Sequence, residues 1–208
     1  MLKDTIYATY KKEYKKDLIK LHKIAFSALG EKEYDTLLQA FQDTLDTSNG
    51  IIALDDKEIL GFQLFEELEK NSARKEYLER KLYWAQHPEC ENHLKEYYQK
   101  LANQVRGKVI IEYFKNQFTT KNFAINNKDL YIDTIVIHPE YRKKGIGRKL
   151  IEQLLESKLN ASSLYVDCLQ DSGTETLYSI VGFKPIIRLG PTHISGHSSL
   201  MMGSLRKK

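Results

Sequence analysis

One segment constrains this chain more than any other. Leu130–Ile137 is rich in β-branched residues, so it reads as a strand. Pro139 follows, then Arg142-Lys143-Lys144-Gly145-Ile146-Gly147. Ile146, Leu150, Leu154, Leu155 and Leu159 then recur at helical spacing, which predicts an amphipathic helix over Gly145–Leu159. A strand that enters a helix through a glycine turn belongs to an α/β layer with some parallel pairing. It also builds an anion site, because the first N–H groups of a helix lack intrahelical partners and the helix dipole favours negative charge there. Glycines let a phosphate approach that backbone closely.

The charge distribution agrees. The chain has 208 residues, 32 Lys+Arg and 28 Asp+Glu, for a formal charge of +4. Over Glu140–Lys149, Arg142, Lys143, Lys144, Arg148 and Lys149 stand against Glu140 alone, which is itself +4. The remaining residues balance, so the surplus marks a local anion site and not a general basic coat. That argues against an extended nucleic-acid surface. With 41% hydrophobic and 29% charged residues, the chain can bury a core and is not of disordered composition. No apolar run approaches the roughly 18 residues of a membrane span. Met1-Leu2-Lys3-Asp4 lacks an apolar leader, and Cys90 and Cys168 offer neither a disulfide framework nor a metal spacing. A soluble, cytoplasmic, metal-free protein is expected.

Upstream, residues 5–10 read as a short strand. Leu18, Leu21, Ala25 and Leu29 predict a helix closed by Gly30, and Tyr34, Leu37, Leu38, Phe41 and Leu45 a second one ending before Asn49-Gly50. Ile51–Leu54 and Ile59–Phe65 flank Asp55-Asp56-Lys57 as a hairpin. Residues 66–127 differ in character. Leu68, Tyr77, Leu78 and Leu82 form one helical stripe, His87-Pro88 a break, and Leu94, Tyr98, Leu101, Val105 and Val109 a second stripe. This helical hairpin packs on the domain, walls a substrate pocket or forms a homodimer contact. Downstream come a strand at Leu164–Leu169, a short helix over about 174–181 stopped by Gly182, and strands at Phe183–Arg188 and Ser198–Leu205. Ser172-Gly173-Thr174-Glu175 has capping-box spacing.

The glycine turn is not a P-loop, since Arg148-Lys149 stands where Lys-Ser or Lys-Thr is needed. Nor is it a dinucleotide fingerprint, because Leu150 occupies the third small position. The pattern left is R-x-x-G-x-G. With the β-α-α-β-β opening, the run Ile135-Val136-Ile137-His138-Pro139-Glu140-Tyr141-Arg142-Lys143-Lys144-Gly145-Ile146-Gly147, and Leu177-Tyr178-Ser179-Ile180-Val181-Gly182-Phe183, the chain resembles the GNAT superfamily of acyl-CoA-dependent N-acyltransferases. Residues 1–65 resemble it in topology, and 130–205 in motif and topology. The stretch 66–127 does not.

The resemblance implies a single N-acetyltransferase domain over 1–208, with a mixed central sheet, helices on both faces, a splayed parallel strand pair and a helical insertion at about 66–127. It implies acetyl-CoA as co-substrate. The pantetheine arm would bond the backbone of Ile135, Val136 and Ile137, and the pyrophosphate would sit on N–H groups from Arg142, Lys143, Lys144, Gly145, Ile146 and Gly147 to Arg148. Tyr178 matches the family tyrosine that protonates the departing thiolate. Asp171 stands where many members have Asn. For the base, Asp133 is the first choice, lying on the same strand face as Ile135; Asp167, His138, His193, His197 and ordered water are alternatives. Cys168, a strand cysteine, reads as a buried hydrophobe more readily than as a nucleophile. The acceptor is a small-molecule or peptide amine. The competing reading is a non-catalytic acyl-CoA-binding or protein-interaction module on the same fold.

Overall fold

A strand begins the chain in the computed structural model, which describes residues 5–27, 31–56, 58–86, 124–157, 163–169, 173–191 and 198–205. β1 is Ile6–Thr9, α1 Lys15–Ala25 and α2 Glu31–Thr47. β2, Asn49–Asp55, and β3, Glu58–Glu67, form the hairpin read from the sequence. α3 is Ser72–Gln86, β4 Leu130–Ile137 and α4 Ile146–Ser157. β5 is Ser163–Leu169, α5 Thr174–Ile180, β6 Lys184–Pro191 and β7 Ser198–Leu205. The chain divides into two compact units. One comprises Met1–Glu66 with Leu130–Ala161, the other Glu67–Asp129 with Ser162–Lys208.

In the first unit the strands lie in the order β1-β2-β3-β4. β1 and β2 are antiparallel, as are β2 and β3, with Ile52 opposite Phe62. Leu18 and Leu21 of α1 and Phe41 and Leu45 of α2 pack with Ile52, Phe62, Leu64 and Val136 into one core. α4 packs against β2 and β4. Successive β3 residues from Ile59 to Glu66 are therefore buried whichever way they point, a continuous run expected of a strand covered on both faces. Gly61 allows the close approach of β4: a Cβ there would lie 2.7 Å from Ile137 Cδ1 and 2.9 Å from the Val136 carbonyl oxygen.

In the second unit β7 lies between β5 and β6 and is antiparallel to both, with Val166 opposite Met202. α3 packs against β6, and α5 against β5. Leu78, Leu82, Tyr165, Tyr178, Phe183 and Met201 are buried. Leu68 is buried too, but in the turn after β3 and ahead of the helix on which its spacing had placed it. Asp129 is fully buried and staples this unit. Its carboxylate accepts the N–H of Asn126 at 2.7 Å and of Ser163 at 2.9 Å, while its carbonyl accepts the N–H of Leu68 at 3.0 Å. Burial raises its pKa against the lowering effect of those donors.

α5 begins at Thr174 with Gly173 as its N-cap and no side-chain cap hydrogen bond. Ser172, Leu29, Gly30 and the second insertion helix over 94–109 lie outside the described residues.

Candidate functional site

β4 is buried at Leu130–Ile132 and at Val136, but Asp133, Thr134, Ile135 and Ile137 are each partly exposed. Neighbouring strand residues point to opposite faces, so three partly exposed residues in a row mean that solvent reaches both faces of the strand here. Val136 anchors the strand in the α1–α2 core. Asp133, Thr134, Ile135 and Ile137 are thus the residues of β4 that solvent reaches.

The chain then turns sharply. His138 donates its N–H to the Leu60 carbonyl at 2.9 Å, and its Nδ1 faces the N–H of Glu140 at 3.4 Å, capping a 3-10 turn at Pro139–Tyr141. Its ring also packs edge-on against Tyr141 at 5.5 Å. These contacts give His138 a structural task at the turn. Arg142 donates from Nε to the Ile137 carbonyl and from Nη2 to the Ala25 carbonyl, both at 3.3 Å, tying the turn to β4 and to the end of α1. Both acceptors are neutral carbonyls, so these bonds do not offset the guanidinium charge.

Lys143 has a φ of 60° and Gly145 a φ of +87°. A non-glycine residue in the left-handed region is uncommon, and Gly145 takes the more extreme value because it has no Cβ. A Cβ on Gly145 would meet nothing within 4 Å, so the space in front of the turn is open. The first bond of α4 runs from the N–H of Lys149 to the carbonyl of Gly145. The N–H groups of Ile146, Gly147 and Arg148 precede that bond and have no carbonyl one turn back within the helix. An open concavity, helix-start N–H groups and exposed Arg142, Lys143 and Lys144 fit a pyrophosphate.

The five cations are not equivalent. Arg148 pairs with Glu152 at 2.7 Å, and Lys149 lies 3.8 Å from Glu152 and 4.0 Å from Glu156. The local surplus is therefore smaller than the ten-residue window suggested, and among the described residues Arg142, Lys143 and Lys144, ahead of the helix, form no ion pair. Lys144 lies over the Tyr141 ring at 4.7 Å, and Tyr141 donates its hydroxyl to Glu58 at 3.3 Å.

Tyr178 lies in the second unit, on α5, and is 1% exposed. Its ring contacts Phe183 at 5.2 Å. Burial, reinforced by the neighbouring Cys168, pushes the phenol above its ordinary range. It therefore holds its proton throughout the physiological range. Cys168 is buried, its Sγ 3.7 Å from Met202 Sδ, and burial pushes the thiol up to about 12. A thiol held protonated in this way is a poor nucleophile.

Among the base candidates, Asp133 is half-buried and accepts the Thr134 hydroxyl at 3.0 Å. Asp167 is engaged: its carboxylate takes the Lys81 ammonium at 2.8 and 2.9 Å and the Tyr77 hydroxyl at 2.7 Å. Sequence reasoning missed Lys81, which is 4% exposed, and treated Tyr77, 38% exposed, as part of the buried face. The signal was present, because Lys81 stands three residues after Leu78 and one before Leu82, on the apolar stripe itself. Asp171, His193 and His197 lie outside the described residues. Among the described residues, no three His, Cys, Asp or Glu side chains converge as metal ligands, and no helix is long and apolar enough to cross a membrane.

A cleft of about 510 Å³ opens elsewhere in the first unit, between α1 and the β2–β3 turn. Asp17, Asp55, Asp56 and Glu58 line it against Lys20 and His138. Four carboxylates repel a pyrophosphate, so this cleft is a poor match for such an anion.

Residues 95–185 match the family described as an acetyltransferase (GNAT) domain, a match that begins inside the stretch read as an insertion. Solved structures share the fold over nearly the whole chain. The ribosomal-protein-S18-alanine N-acetyltransferase of Escherichia coli is 9% identical, with 98% of this chain and 95% of that one covered and a TM-score of 0.59. NAA60 of Arabidopsis thaliana, solved in complex with acetyl-CoA, is 14% identical, with 97% and 98% covered and a TM-score of 0.57. The IAA acetyltransferase of Bacillus cereus ATCC 14579 is 13% identical, with 97% and 99% covered and a TM-score of 0.52. Likeness at such identities speaks to the fold, which is the α/β, GNAT-type fold expected. No curated protein sequence matches the chain closely enough to count as a relative.

Proposed function

Because this chain belongs to the GNAT superfamily of acetyltransferases, we propose that it transfers an acetyl group from acetyl-CoA to a primary amine by direct attack. The observation that carries this reading is the turn at Arg142–Arg148: an open, left-handed, cation-flanked entry into α4, which follows directly on the partly exposed residues at the end of β4. In this reading residues 1–208 act as one N-acetyltransferase domain, in the cytoplasm, with 66–127 as its elaboration.

Each part then has a chemical task. The turn N–H groups from Arg142 to Arg148 and the cations beside them hold the pyrophosphate, and the backbone of Ile135–Ile137 offers hydrogen bonds to the amides of the pantetheine arm. The neutral amine attacks the thioester carbonyl, a C–N bond forms and the C–S bond breaks. Its surplus proton passes to Asp133, directly or through water, and the Tyr178 hydroxyl donates to the departing thiolate. A phenol raised by burial is a weak acid but a persistent donor. It assists chiefly by hydrogen-bonding the sulfur as charge develops there, its proton moving as the bond breaks. The tyrosinate recovers its proton from solvent once CoA has left. No covalent enzyme intermediate is needed, in keeping with the protonated Cys168 thiol.

The test is release of CoA thiol from acetyl-CoA with a panel of primary amines, for the wild type and for Tyr178→Phe. Loss of the donor is expected to lower kcat by about 100-fold, with acetyl-CoA affinity unchanged. Undiminished turnover by Tyr178→Phe would remove Tyr178 from the mechanism. Clear acetyl-CoA binding with no thiol release under any acceptor would favour the non-catalytic acyl-CoA-binding module instead.

A further inference from the structure

Lys81 is a buried cation that the transfer chemistry does not use. Its ammonium meets both Asp167 oxygens, at 2.9 and 2.8 Å, and lies 4.3 Å from the centre of the Tyr77 ring. The Tyr77 hydroxyl donates to the same carboxylate at 2.7 Å. Both side chains come from α3, and Asp167 comes from β5. A well-packed apolar pair would hold a helix on a strand as firmly as a buried ion pair does, or more so. What the ion pair adds is direction. Three hydrogen bonds from two side chains fix the carboxylate, and with it the strand, in position and in rotation.

That strand carries Cys168 next to Asp167, and successive strand side chains point to opposite faces. Asp167 therefore turns towards α3 while Cys168 turns towards α5. Cys168 neighbours Tyr178, and α5 packs directly on β5. The Tyr178 ring is closed in on another side by Phe183. A displacement of β5 is thus passed to Tyr178 through a packed interior, where side chains have little room to absorb it.

We propose that Lys81 is a positioning residue for acetyl transfer: through Asp167 it fixes β5, and through β5 it fixes Tyr178 for donation to the departing sulfur. The inference rests on the role given to Tyr178 above. It assigns the first helix of the 66–127 stretch a part in catalysis without any contact with the reacting atoms.

The experiment measures CoA-thiol release from acetyl-CoA, with a primary-amine panel and with water alone, for Lys81→Met and Tyr77→Phe. Each is made in the wild type and in Tyr178→Phe, with acetyl-CoA affinity measured by calorimetry. In the wild-type background Lys81→Met is expected to lower kcat by about 10- to 100-fold, the scale of a misplacement near 1 Å, with acetyl-CoA affinity retained. Tyr77→Phe, which removes one hydrogen bond and keeps the ring, is expected to lower kcat by about threefold. In the Tyr178→Phe background neither change should lower kcat further, because the group they position is gone. A general loss of structure would instead lower both backgrounds alike.

A folded Lys81→Met with wild-type kcat overturns the proposal, as do losses that multiply with that of Tyr178→Phe. If Lys81→Met does not fold, Tyr77→Phe decides, and wild-type kcat for that variant is the overturning result. If Tyr178→Phe alone keeps full activity, the assignment of Tyr178 fails first and the role of Lys81 with it. No thiol release by the wild type with any acceptor, water included, overturns the transfer reading itself.

Discussion

Around Arg142–Arg148 the protein sets cations in the open, ahead of a helix and beside left-handed backbone. At Lys81 it sets a single cation in the interior, 4% exposed, and surrounds it with Asp167 and Tyr77. The first arrangement leaves charge available to a mobile anion from outside, and salt and solvent weaken each pair within it. The second commits its charge to one internal partner, in an interior where a Lys81 without Asp167 would be costly. Exposed charge is placed to meet a ligand, and buried charge is placed to hold geometry.

The largest effect should come from the buried member. Lys81→Met is expected to cost about 3 kcal/mol or more in denaturant unfolding, because the Asp167 carboxylate, only 16% exposed, loses the ammonium that meets both its oxygens. A loss below about 0.5 kcal/mol would place the pair on the same footing as a surface ion pair and remove the contrast.

Next comes His22, buried at 2% exposure in α1, stacked on Phe41 at 4.0 Å, with its Nδ1 3.4 Å from the Tyr34 hydroxyl. Burial pushes its pKa down to about 4, against about 6.5 in an unfolded chain. As pH falls through that window the unfolded state takes up a proton that the native state refuses, so native stability falls with it. The expected loss between pH 7 and pH 4 is about 3 kcal/mol, read as the drop in unfolding free energy, less the same drop measured for His22→Phe. An equal drop in the two proteins would contradict the assignment.

The smallest effect should come from the exposed helix face. Glu152 meets Arg148 at 2.7 Å and Lys149 at 3.8 Å. Glu152→Gln is expected to change stability by less than about 0.5 kcal/mol, while tightening acetyl-CoA binding modestly by freeing positive charge beside the turn. Weaker acetyl-CoA binding in that variant would count against the turn as the anion site.

What could be read from sequence divides along a related line. The bounds of β4 and β7 and the β-α-α-β-β opening follow from short-range patterning, and the structure has them where the pattern placed them. The glycine turn was legible for the same reason, since its conformation is set by a handful of consecutive residues. The partners of the turn were less so. Glu152 and Glu156 lie beyond the ten-residue window, yet helical spacing brings them back to Arg148 and Lys149. Arg142 reaches the carbonyl of Ala25, far away in the chain, and nothing in its own neighbourhood announces that. Lys81 and Asp167 are likewise distant in sequence. Only the placement of Lys81 on an apolar stripe hinted at burial, and that hint could not name the partner. Leu68 was misplaced because an apolar residue just outside a helix can match its spacing by chance.

The central claim is that the turn before α4 seats the pyrophosphate of acetyl-CoA. The most direct measurement is a titration of the isotope-labelled chain with acetyl-CoA, followed through the backbone amide resonances. The account requires the largest shifts at Lys143–Arg148, with smaller ones along Ile135–Ile137. Saturable binding that leaves Lys143–Arg148 unmoved and shifts the residues around Asp17 and Asp55 instead would contradict it.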